Sequence, residues 1–397
     1  MLFRSSPAAD VVTALQQELF PEALRQTFTA GNLPLGSSVT LTELETDRRW
    51  LAVDNQSQRY VLYLADPNND GTADALQIMR PHDLVGQRGF SFLVTGTVTV
   101  LEDNRSLTLQ AVDDVIVRGN LNLPGDGSDL VLQSDKWVYW EGAGTIGGDL
   151  TIAGGMELDG TSHNGAGAGN ASVLIPAISR LVTPKAGSVI DIRGAQDVDI
   201  LGTIVAGGTI GDSGVIWSGP DSEVRLQAGQ QLFIDAAVLA AGQVRAAGGT
   251  AGSDDDGLAV IITSAAGLTA AGLTSTSTGS LVEILGVGSL QLMGNIVSGG
   301  ILTQQFNSAG QRIGESIAWS GKPSEIRVLF DEGQAWIGGL ARAASGEQVE
   351  TGGNLWTSQR IEIRGGTSVN GIGVKVSPPS QVTAVNPAAS ISIDSSG

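Results

Sequence analysis

The amino-acid sequence predicts an all-β protein, a right-handed parallel β-helix (β-solenoid) with a short N-terminal helical segment and a β cap. Composition gives the first reason, because 55 of the 397 residues are Gly, about 14% and roughly twice the usual share. Gly costs a helix ~1 kcal/mol per position relative to Ala, whereas it suits tight turns. Only 5% of the residues are aromatic and 41% are hydrophobic, which favours many short strands joined by turns. An internal repeat and the alternation within it are the other two reasons.

The N-terminal segment, residues 1–33, is predicted to be helical. Ser6-Pro7 combines an N-cap residue with a proline at the first helical position. One helical face then collects the apolar residues Val12, Leu15 and Leu19. Pro21 ends this helix and opens a second, which Gly31 ends. The pattern is typical of a short amphipathic cap or interdomain helix. From about Leu35 the alternation is that of strands, and we assign residues 34–85 to a β cap.

The strongest signal is a repeat of about 21 residues. The segment Ser188–Gly208 aligns without gaps with Ser222–Gly242 and Ser280–Gly300, which lie 34 and 92 residues later. In the first pair, the aligned apolar residues are Ile190, Ile192, Val198, Ile200 and Ile204 against Val224, Leu226, Leu232, Ile234 and Val238. A copy 83 residues earlier carries Leu107, Leu109, Val115, Val117 and Leu121. Weaker copies carry Val260, Ile262 and Leu268, then Ile326, Val328, Trp336 and Leu340, and then Ile361–Gly365.

Each copy has the pattern of one coil of a solenoid. It contains three short alternating pieces, and alternation turns one face of each piece inward. The pieces are separated by glycines, where a corner needs a positive φ or no side chain: Gly194, Gly202, Gly207 and Gly208. A single unit cannot bury its own inner face, so several must stack. We therefore assign residues 86–376 to a β-helix of about 21-residue coils with insertions.

An array of β-sandwich domains is the competing fold. The motif Trp217-Ser-Gly returns as Trp319-Ser-Gly, 102 residues later, and a period of 92–102 residues suits domains of that size. The β-helix is favoured because the shorter copies align in phase, which a sandwich does not require. Residues 377–397 contain Ser390-Ile-Ser-Ile, which matches the first strand of a further coil, or they form a linker. We expect from this that the chain is a segment of a longer polypeptide, or that an open coil pairs with another chain.

The repeated units resemble those of a known family. The pattern Gly-Ser-x-Ile-x-Ile-Arg-Gly, followed by Val-x-Ile-x-Gly-x-Ile-x-Ala-Gly-Gly, is similar to repeats of filamentous-haemagglutinin-like bacterial surface adhesins, including the giant calcium-binding haemagglutinin type. The resemblance covers roughly Phe92 to Val376. It implies an exported, elongated rod that serves in adhesion, biofilm matrix or filament formation, and it brings no catalytic residues. The helical start and the lack of secretion signals depart from the family pattern.

The sharpest local motif is a potential calcium loop between two predicted strands. It places oxygen ligands at alternate positions and Gly at the sixth, as in D-x-[DN]-x-[DN]-G loops. The candidate ligands are Asp66, Asn68, Asp70, Thr72 and Asp74. Position 12 is Gln77 rather than a bidentate Glu, and no paired helices flank the loop, so a plain hairpin turn is the alternative. A second acidic cluster, Asp254–Asp256, is interpreted as a solvated turn, with calcium binding as the weaker alternative.

Charge and composition argue against several functional classes. The net charge of −19 opposes nucleic-acid binding, and the absence of Cys excludes disulfides and thiolate metal sites. No apolar stretch is long enough for a transmembrane helix. His82 and His163 lie in turn-like sequence without a partner at motif spacing. Outward-facing carboxylates at Asp191, Asp197 and Asp199 have Arg225, Gln231 and Phe233 as their equivalents in the next copy, so no lyase-like carboxylate ladder is predicted.

The tryptophans leave two interpretations open. Trp217 and Trp319 hold matching places in the insertions, and Trp137, Trp140, Trp336 and Trp356 lie near other strands. Packing of insertions onto the core is favoured because large aromatics bury much surface, and a sugar-stacking or protein-contact row is the alternative. The expected function is a structural extracellular repeat protein, an adhesin or matrix- or filament-forming rod, and not an enzyme. The alternative is a carbohydrate-binding or carbohydrate-cleaving β-helix protein of the tailspike or lyase type. The expected partners are further copies or neighbouring repeats and cell-surface glycans, and the candidate cofactor is calcium.

Overall fold

The computed structural model describes short stretches of the N-terminal region and most of the chain from residue 90. The described ranges are 6–7, 27–28, 38–45, 49–54, 59–65, 75–81, 90–101, 103–111, 114–155, 172–211, 214–249, 258–263, 266–273, 279–306, 312–330, 332–342, 348–351, 353–366 and 373–395. These residues form strands and connections, and they contain no helix long and apolar enough to cross a membrane. The chain divides into two compact units, Met1–Thr183 with Asp191–Ala195, and Pro184–Ile190 with Gln196–Gly397.

The first unit contains antiparallel strands followed by parallel coils. Its strands are β1 (Ser6–Pro7), β2 (Thr27–Phe28), β3 (Ser38–Glu45), β4 (Arg49–Asp54), β5 (Arg59–Ala65), β6 (Ala75–Pro81), β7 (Phe90–Thr99), β8 (Ser106–Ala111), β9 (Asp114–Leu123), β10 (Leu130–Ser134), β11 (Trp137–Glu141), β12 (Ala143–Ile146), β13 (Leu150–Gly154), β14 (Val173–Ile175) and β15 (Arg180–Thr183). The strand β16 (Val189–Gly194) contributes residues to both units.

The N-terminal strands bear on the predicted helical segment and cap. Ser6-Pro7, which the sequence predicts to begin a helix, is a strand that pairs antiparallel with Val39 and Ser38 of β3. Thr27–Phe28 likewise pairs antiparallel with β7. The rest of the predicted helical segment lies outside the described residues. Strands β3 to β6 pair antiparallel in chain order, and β6 then runs parallel to β8. An antiparallel meander therefore leads into the parallel coils.

The coils of the first unit place their strands in three parallel sheets. Sheet 1 contains β8, β10 and β13, sheet 2 contains β7, the first half of β9, β11 and β14, and sheet 3 contains the second half of β9, β12 and β15. Residues that pair in register hold equivalent slots. Leu107, Leu130 and Leu150 form one such column, and all three are buried. Because every second residue turns inward, the columns form a continuous apolar core.

The second unit continues the same design with three hairpins inserted. Its strands are β17 (Val198–Ile200), β18 (Thr203–Ala206), β19 (Gly208–Gly211), β20 (Gly214–Trp217), β21 (Glu223–Ala228), β22 (Leu232–Ile234), β23 (Ala237–Ala240), β24 (Gln243–Gly248), β25 (Leu258–Ile262), β26 (Gly267–Ala270), β27 (Ser280–Gly286), β28 (Ser289–Leu292), β29 (Asn295–Ser298), β30 (Gly300–Phe306), β31 (Arg312–Trp319), β32 (Ser324–Phe330), β33 (Ala335–Ile337), β34 (Gly339–Arg342), β35 (Gln348–Thr351), β36 (Asn354–Thr357), β37 (Arg360–Gly365), β38 (Val374–Val376), β39 (Gln381–Ala384) and β40 (Ser390–Ser395).

Parallel stacking is continuous through this unit. Sheet 1 contains β21, β24, β27, β32, β37 and β40. Sheet 2 contains β17, β22, β25, β28, β33 and β38, and sheet 3 contains β18, β23, β26, β29, β36 and β39. The antiparallel hairpins β19–β20, β30–β31 and β34–β35 lie outside these sheets. The architecture is all-β, with long parallel sheets, as in a β-solenoid or β-helix.

The register agrees with the sequence repeat where the insertions are short. Val198 pairs with Leu232 and Ile204 with Val238, and both pairs are 34 residues apart, as in the sequence alignment. The copy that begins at Ser324 differs from the prediction. Ala335 fills the inward slot beneath Leu290, so that Trp336 points outward, and the hairpin that contains Leu340 is followed by Leu355 in the next inward slot. The hairpin β34–β35 interrupts this coil, which shifts the apolar pattern.

The predicted glycine corners are confirmed at one of the four positions. Gly207 has a φ of +81°, whereas Gly194, Gly202 and Gly208 do not adopt a positive φ. Gly207 is also tightly enclosed, since an added Cβ would lie 2.7 Å from the Cβ of Ser222 and 2.9 Å from that of Ala241. Gly207 therefore needs both its backbone conformation and its missing side chain.

Candidate functional site

The predicted calcium loop lies outside the described residues, as do the Asp254–Asp256 cluster and both histidines. The strands that flank the loop are described, and they form an antiparallel pair in which Ala65 lies opposite Ala75. The loop containing Asp66, Asn68, Asp70, Thr72 and Asp74 therefore connects the two strands of a hairpin. Within the described ranges, no three His, Asp or Glu side chains come together as a metal site would require.

Asp191 lies at a shallow depression on the outer face of sheet 1 in the first unit. The depression has a volume of about 220 Å³ and is lined by Val131, Thr151, Ala153, Asp191 and Arg193. The guanidinium of Arg193 donates to both carboxylate oxygens of Asp191, with Nε 2.8 Å from Oδ1. The carboxylate is largely buried and held by this ion pair. The arrangement is that of a structural pair, because both carboxylate oxygens accept hydrogen bonds from the same guanidinium.

Asp197 connects neighbouring coils in the second unit. Its Oδ1 accepts a hydrogen bond from the backbone N–H of Gln231, the residue that precedes the next strand of sheet 2. Asp103, Asn120, Asp129 and Asn354 use a side-chain oxygen in the same way, each accepting an N–H from the following coil. These polar side chains satisfy backbone donors at the corners, where the regular strand pairing is interrupted. The sequence analysis missed this role and interpreted Asp197 only as an outward carboxylate.

Sheet 1 of the second unit carries a ladder of alternating charges on its outer face, which we call the charge ladder. Its members, in order of contact, are Arg225, Glu223, Arg245, Glu283, Arg327, Glu325, Arg360, Glu362 and Arg364. The N–O distances of consecutive pairs run from 2.5 Å between Arg225 and Glu223 to 3.9 Å between Arg245 and Glu283. The ladder crosses five strands, β21, β24, β27, β32 and β37, and therefore connects successive coils.

The ladder is electrostatically self-contained. Arg327, at its centre, contacts Glu325 at 2.9 Å and Glu283 at 3.6 Å. The hydrogen bond to Glu325 is the main cause of a raised pKa for Arg327, which burial opposes. Every Glu in the ladder has an Arg on each side, so the ladder uses its charges internally. Exposed ion pairs contribute little singly, but networks contribute more.

The paired tryptophans of the insertions occupy equivalent positions. Trp217 lies opposite Gly208 at the base of one hairpin, and Trp319 lies opposite Gly300 at the base of another. A Cβ at either glycine would lie 3.2 Å from Cε3 of Trp217 or 3.1 Å from Cε3 of Trp319. The serine that follows each tryptophan donates its backbone N–H to the preceding coil end, at Gly207 and Gly299. Each ring therefore packs its hairpin against a glycine.

Three other tryptophans have separate structural surroundings. Trp140 is fully buried in the core of the first unit above Gly144, where an added Cβ would lie 2.6 Å from its ring. Trp336 donates its indole N–H to Ser377 at 2.8 Å, and the ammonium of Lys375 lies 3.9 Å from its ring centroid. Trp356 donates its indole N–H to Gln381 at 3.4 Å. The predicted tryptophan row is therefore not a single surface, because these rings serve different local contacts.

Trp137 and Tyr139 form an aromatic patch on the outer face of sheet 2 in the first unit. Their ring centroids are 5.2 Å apart and their planes are tilted by 45°. The Tyr139 hydroxyl donates to Oε2 of Glu141 at 2.8 Å, and the guanidinium carbon of Arg118 lies 5.9 Å from the Tyr139 ring centroid. Burial raises the pKa of Tyr139, and Glu141 raises it further by accepting the hydrogen bond and by its charge, while Arg118 opposes the shift. We call Trp137, Tyr139, Glu141 and Arg118 the aromatic platform.

Comparison with known proteins gives no assignment. No protein-family model matches the chain, and neither the curated proteins nor the solved structures contain a match. The functional inference therefore depends on the fold and on the outward-facing residues.

Proposed function

We propose that this chain is a structural repeat protein, a right-handed parallel β-helix that serves as a scaffold in an extracellular or cell-surface adhesin, matrix or filament. The charge ladder is the observation that carries the proposal. It commits the outer face of sheet 1 in the second unit to contacts between coils, above a core whose inward columns are already continuous. Such cross-coil contacts favour a stable stack, in which each coil is stabilised mainly by its neighbours. The resemblance to haemagglutinin-like repeats supports the same role.

Immunogold labelling of source cells and their culture medium tests this function. Antibodies raised against the chain are expected to label surface structures or secreted filaments. A cell line that lacks the gene serves as the control for specificity. Label confined to the cell interior would contradict the proposal. A crystal structure of the chain decides the handedness of the coils.

The proposal does not include catalysis. Glycoside hydrolysis requires two carboxyl groups facing one bond, about 5–9.5 Å apart. Among the described outward carboxylates considered from the sequence, Asp191 is held by Arg193 and Asp197 accepts a backbone hydrogen bond. Incubation of the chain with polysaccharides, followed by a reducing-end assay, is expected to show no release of sugar. Release that survives repeated purification would favour the carbohydrate-cleaving alternative.

Self-association is part of the proposed role. Ile391 and Ile393 of β40 occupy inward slots, in register with Ile361 and Ile363, and are 47% and 53% exposed. We propose that a coil of a second copy covers them, since exposed core positions favour association. Sedimentation velocity is expected to show association that increases with protein concentration and is weakened by Ile393→Lys. A monomer at all concentrations would contradict this part of the proposal.

Calcium binding by the loop that contains Asp66 is a further part of the proposal. Pairing of Ala65 with Ala75 holds the two ends of the loop together, which supports a compact arrangement of its oxygen ligands. Calcium is expected to raise the melting temperature, and a chelator is expected to reverse the shift. Asp70→Ala should remove the response, whereas Asp255→Ala should leave it intact. An unchanged melting temperature with calcium or chelator would reject the site.

A further inference from the structure

We propose that the aromatic platform of the first unit binds a neutral oligosaccharide. This site is independent of the scaffold role proposed above, because none of its residues belongs to the charge ladder or to β40. It lies on strands β9 and β11, which are neighbours in sheet 2. The occupant inferred is a chain of pyranose sugars without charged substituents.

The position of the two rings is not explained by core packing. Along β11, Val138 and Trp140 point inward and are fully buried, whereas Trp137 and Tyr139 alternate with them and remain partly exposed. The register places Tyr139 between Ile116 and Leu174 of the adjoining strands. Two large rings on the outward side of a coil therefore present apolar surface to solvent, next to branched side chains.

The platform differs from the other outward tryptophans of the described chain. The Trp336 ring is covered by Lys375, and its indole N–H is bonded to Ser377. The rings of Trp217 and Trp319 lie against glycines of their own hairpins. In the platform, by contrast, the ring contact of Trp137 is another ring, tilted by 45°, so that the pair presents two adjoining facets. The C–H faces of sugars stack on such surfaces as other apolar groups do.

The polar groups beside the rings fit hydroxyl ligands. Glu141 and Arg118 pair in register on β11 and β9, so that a carboxylate and a guanidinium lie at the same edge of the platform. Glu141 has two acceptor oxygens, of which Oε2 accepts from Tyr139, and Arg118 offers several donors. Neighbouring sugar hydroxyls act as both donors and acceptors, and can therefore satisfy both groups. The opposite charges of Glu141 and Arg118 favour a neutral ligand over a strongly charged one.

The charge of the chain also argues against a polyanion as the occupant. A net charge of −19 repels nucleic acids and polysaccharides that carry many carboxylates or sulfates. A neutral β-linked glucan avoids this repulsion, and its equatorial hydroxyls leave C–H groups on both faces of each ring. We therefore choose cellohexaose and laminarihexaose as probes, with a hexamer of galacturonic acid as the charged comparison.

Isothermal titration calorimetry on the full chain tests the site. At least one neutral hexasaccharide is expected to bind with a dissociation constant of about 1 mM or tighter, and the galacturonic acid hexamer more weakly. Trp137→Ala is expected to weaken binding about tenfold or more, because it removes one stacking surface. Tyr139→Phe keeps the ring but loses the hydrogen bond to Glu141, and a smaller loss is expected. Trp356→Ala is the matched control, an outward tryptophan of the second unit, and should bind as the unmodified chain does.

Thermal unfolding of each variant separates a binding defect from misfolding. Trp137→Ala must melt within a few degrees of the unmodified chain for its affinity to count, and Trp137→Phe replaces it if it does not. Failure of both neutral probes to bind would overturn the proposal. Equal weakening by Trp137→Ala and Trp356→Ala would overturn it as well, and so would tighter binding of the galacturonic acid hexamer. None of these outcomes bears on the cell-surface labelling that tests the scaffold function.

Discussion

Replacement of Gly207 by Ala is the most informative perturbation of this fold, because the chain contains a closely matched control. Gly207 has a φ of +81° and Gly187 a φ of +79°. An added Cβ at Gly207 would lie 2.7 Å from the Cβ of Ser222 and 2.9 Å from that of Ala241, whereas at Gly187 nothing lies within 4 Å. The two variants therefore share the backbone penalty and differ in steric overlap.

The expected magnitudes follow from these two contributions. A left-handed Ala costs about 1–2 kcal/mol, of which about 0.4–1 kcal/mol is offset by the lower entropy of the unfolded chain. Gly187→Ala should therefore destabilise the protein by about 1 kcal/mol or less. Overpacking adds about 1–3 kcal/mol, so Gly207→Ala should cost about 2–4 kcal/mol in total. The neighbours cannot easily move away, because Ser222 and Ala241 are both fully buried.

Urea unfolding followed by far-UV circular dichroism measures the difference. The comparison is valid where the two variants share the same m-value, because repeat arrays can lose cooperativity. The double variant Gly207→Ala with Ser222→Gly removes the nearest overlapping atoms, and it should lose less stability than the two single variants combined. Equal destabilisation by Gly187→Ala and Gly207→Ala would refute the steric argument and leave only the backbone conformation.

Three further predictions test the core, the charge ladder and the platform. Ile234→Ala should lose about 2–5 kcal/mol of unfolding free energy in urea, because this buried side chain stacks in register between neighbouring coils, whereas the outward Gln291→Ala should change it by less than about 0.5 kcal/mol. Arg327→Gln should lose about 0.5–1 kcal/mol at low salt and almost nothing near 1 M NaCl, and an effect independent of salt would contradict the ion-pair explanation. The phenol of Tyr139, isolated as the ultraviolet difference from Tyr139→Phe, should ionise above pH 10.0, and Glu141→Gln should reduce the shift without abolishing it. Because the folded-state pKa is raised, the stability contributed by this phenol is present below pH 10.0 and is lost as the pH rises further, and ionisation at or below pH 10.0 would contradict the burial that raises it.

The repeat of inward residues was the part of the fold that could be predicted from the sequence. Ser188–Gly208 and Ser222–Gly242 align without gaps, and the paired strands keep that offset of 34 residues at Val198 and Ile204. This succeeds because an inward slot accepts only apolar side chains, which leaves a regular pattern. Two coils of the first unit, from Leu130 to Ile146 and from Leu150 to Thr183, were missed. In the former, Trp140 and Gly144 share the inward space, so the usual aliphatic pattern is replaced by one large and one absent side chain.

Outward contacts could not be predicted in the same way. Arg245 and Glu283 approach because their strands are neighbours in sheet 1, although a stretch of sequence of irregular length separates them. Glu325 and Arg360 meet across the hairpin and two further strands that intervene in the chain. Insertions of unequal length change the sequence distance between coils but not their register. Sequence spacing therefore identifies the inward columns, while the partners of outward residues become visible only once the strands are stacked.

This division between inward and outward positions also determines where function can reside. Inward columns have little freedom to vary, since a polar or smaller residue there leaves an unsatisfied group or a cavity. Outward positions are held by the same backbone spacing, about 4.8 Å between coils, but are free to carry different chemistry. In the second unit that freedom is used by the charge ladder, whose members satisfy one another. In the first unit the equivalent freedom at β11 places two aromatic rings beside a carboxylate and a guanidinium, a combination that cross-coil pairing does not require. The aromatic platform is consequently the part of the described surface whose residues are best explained by a ligand, while the ladder is best explained by the stack itself.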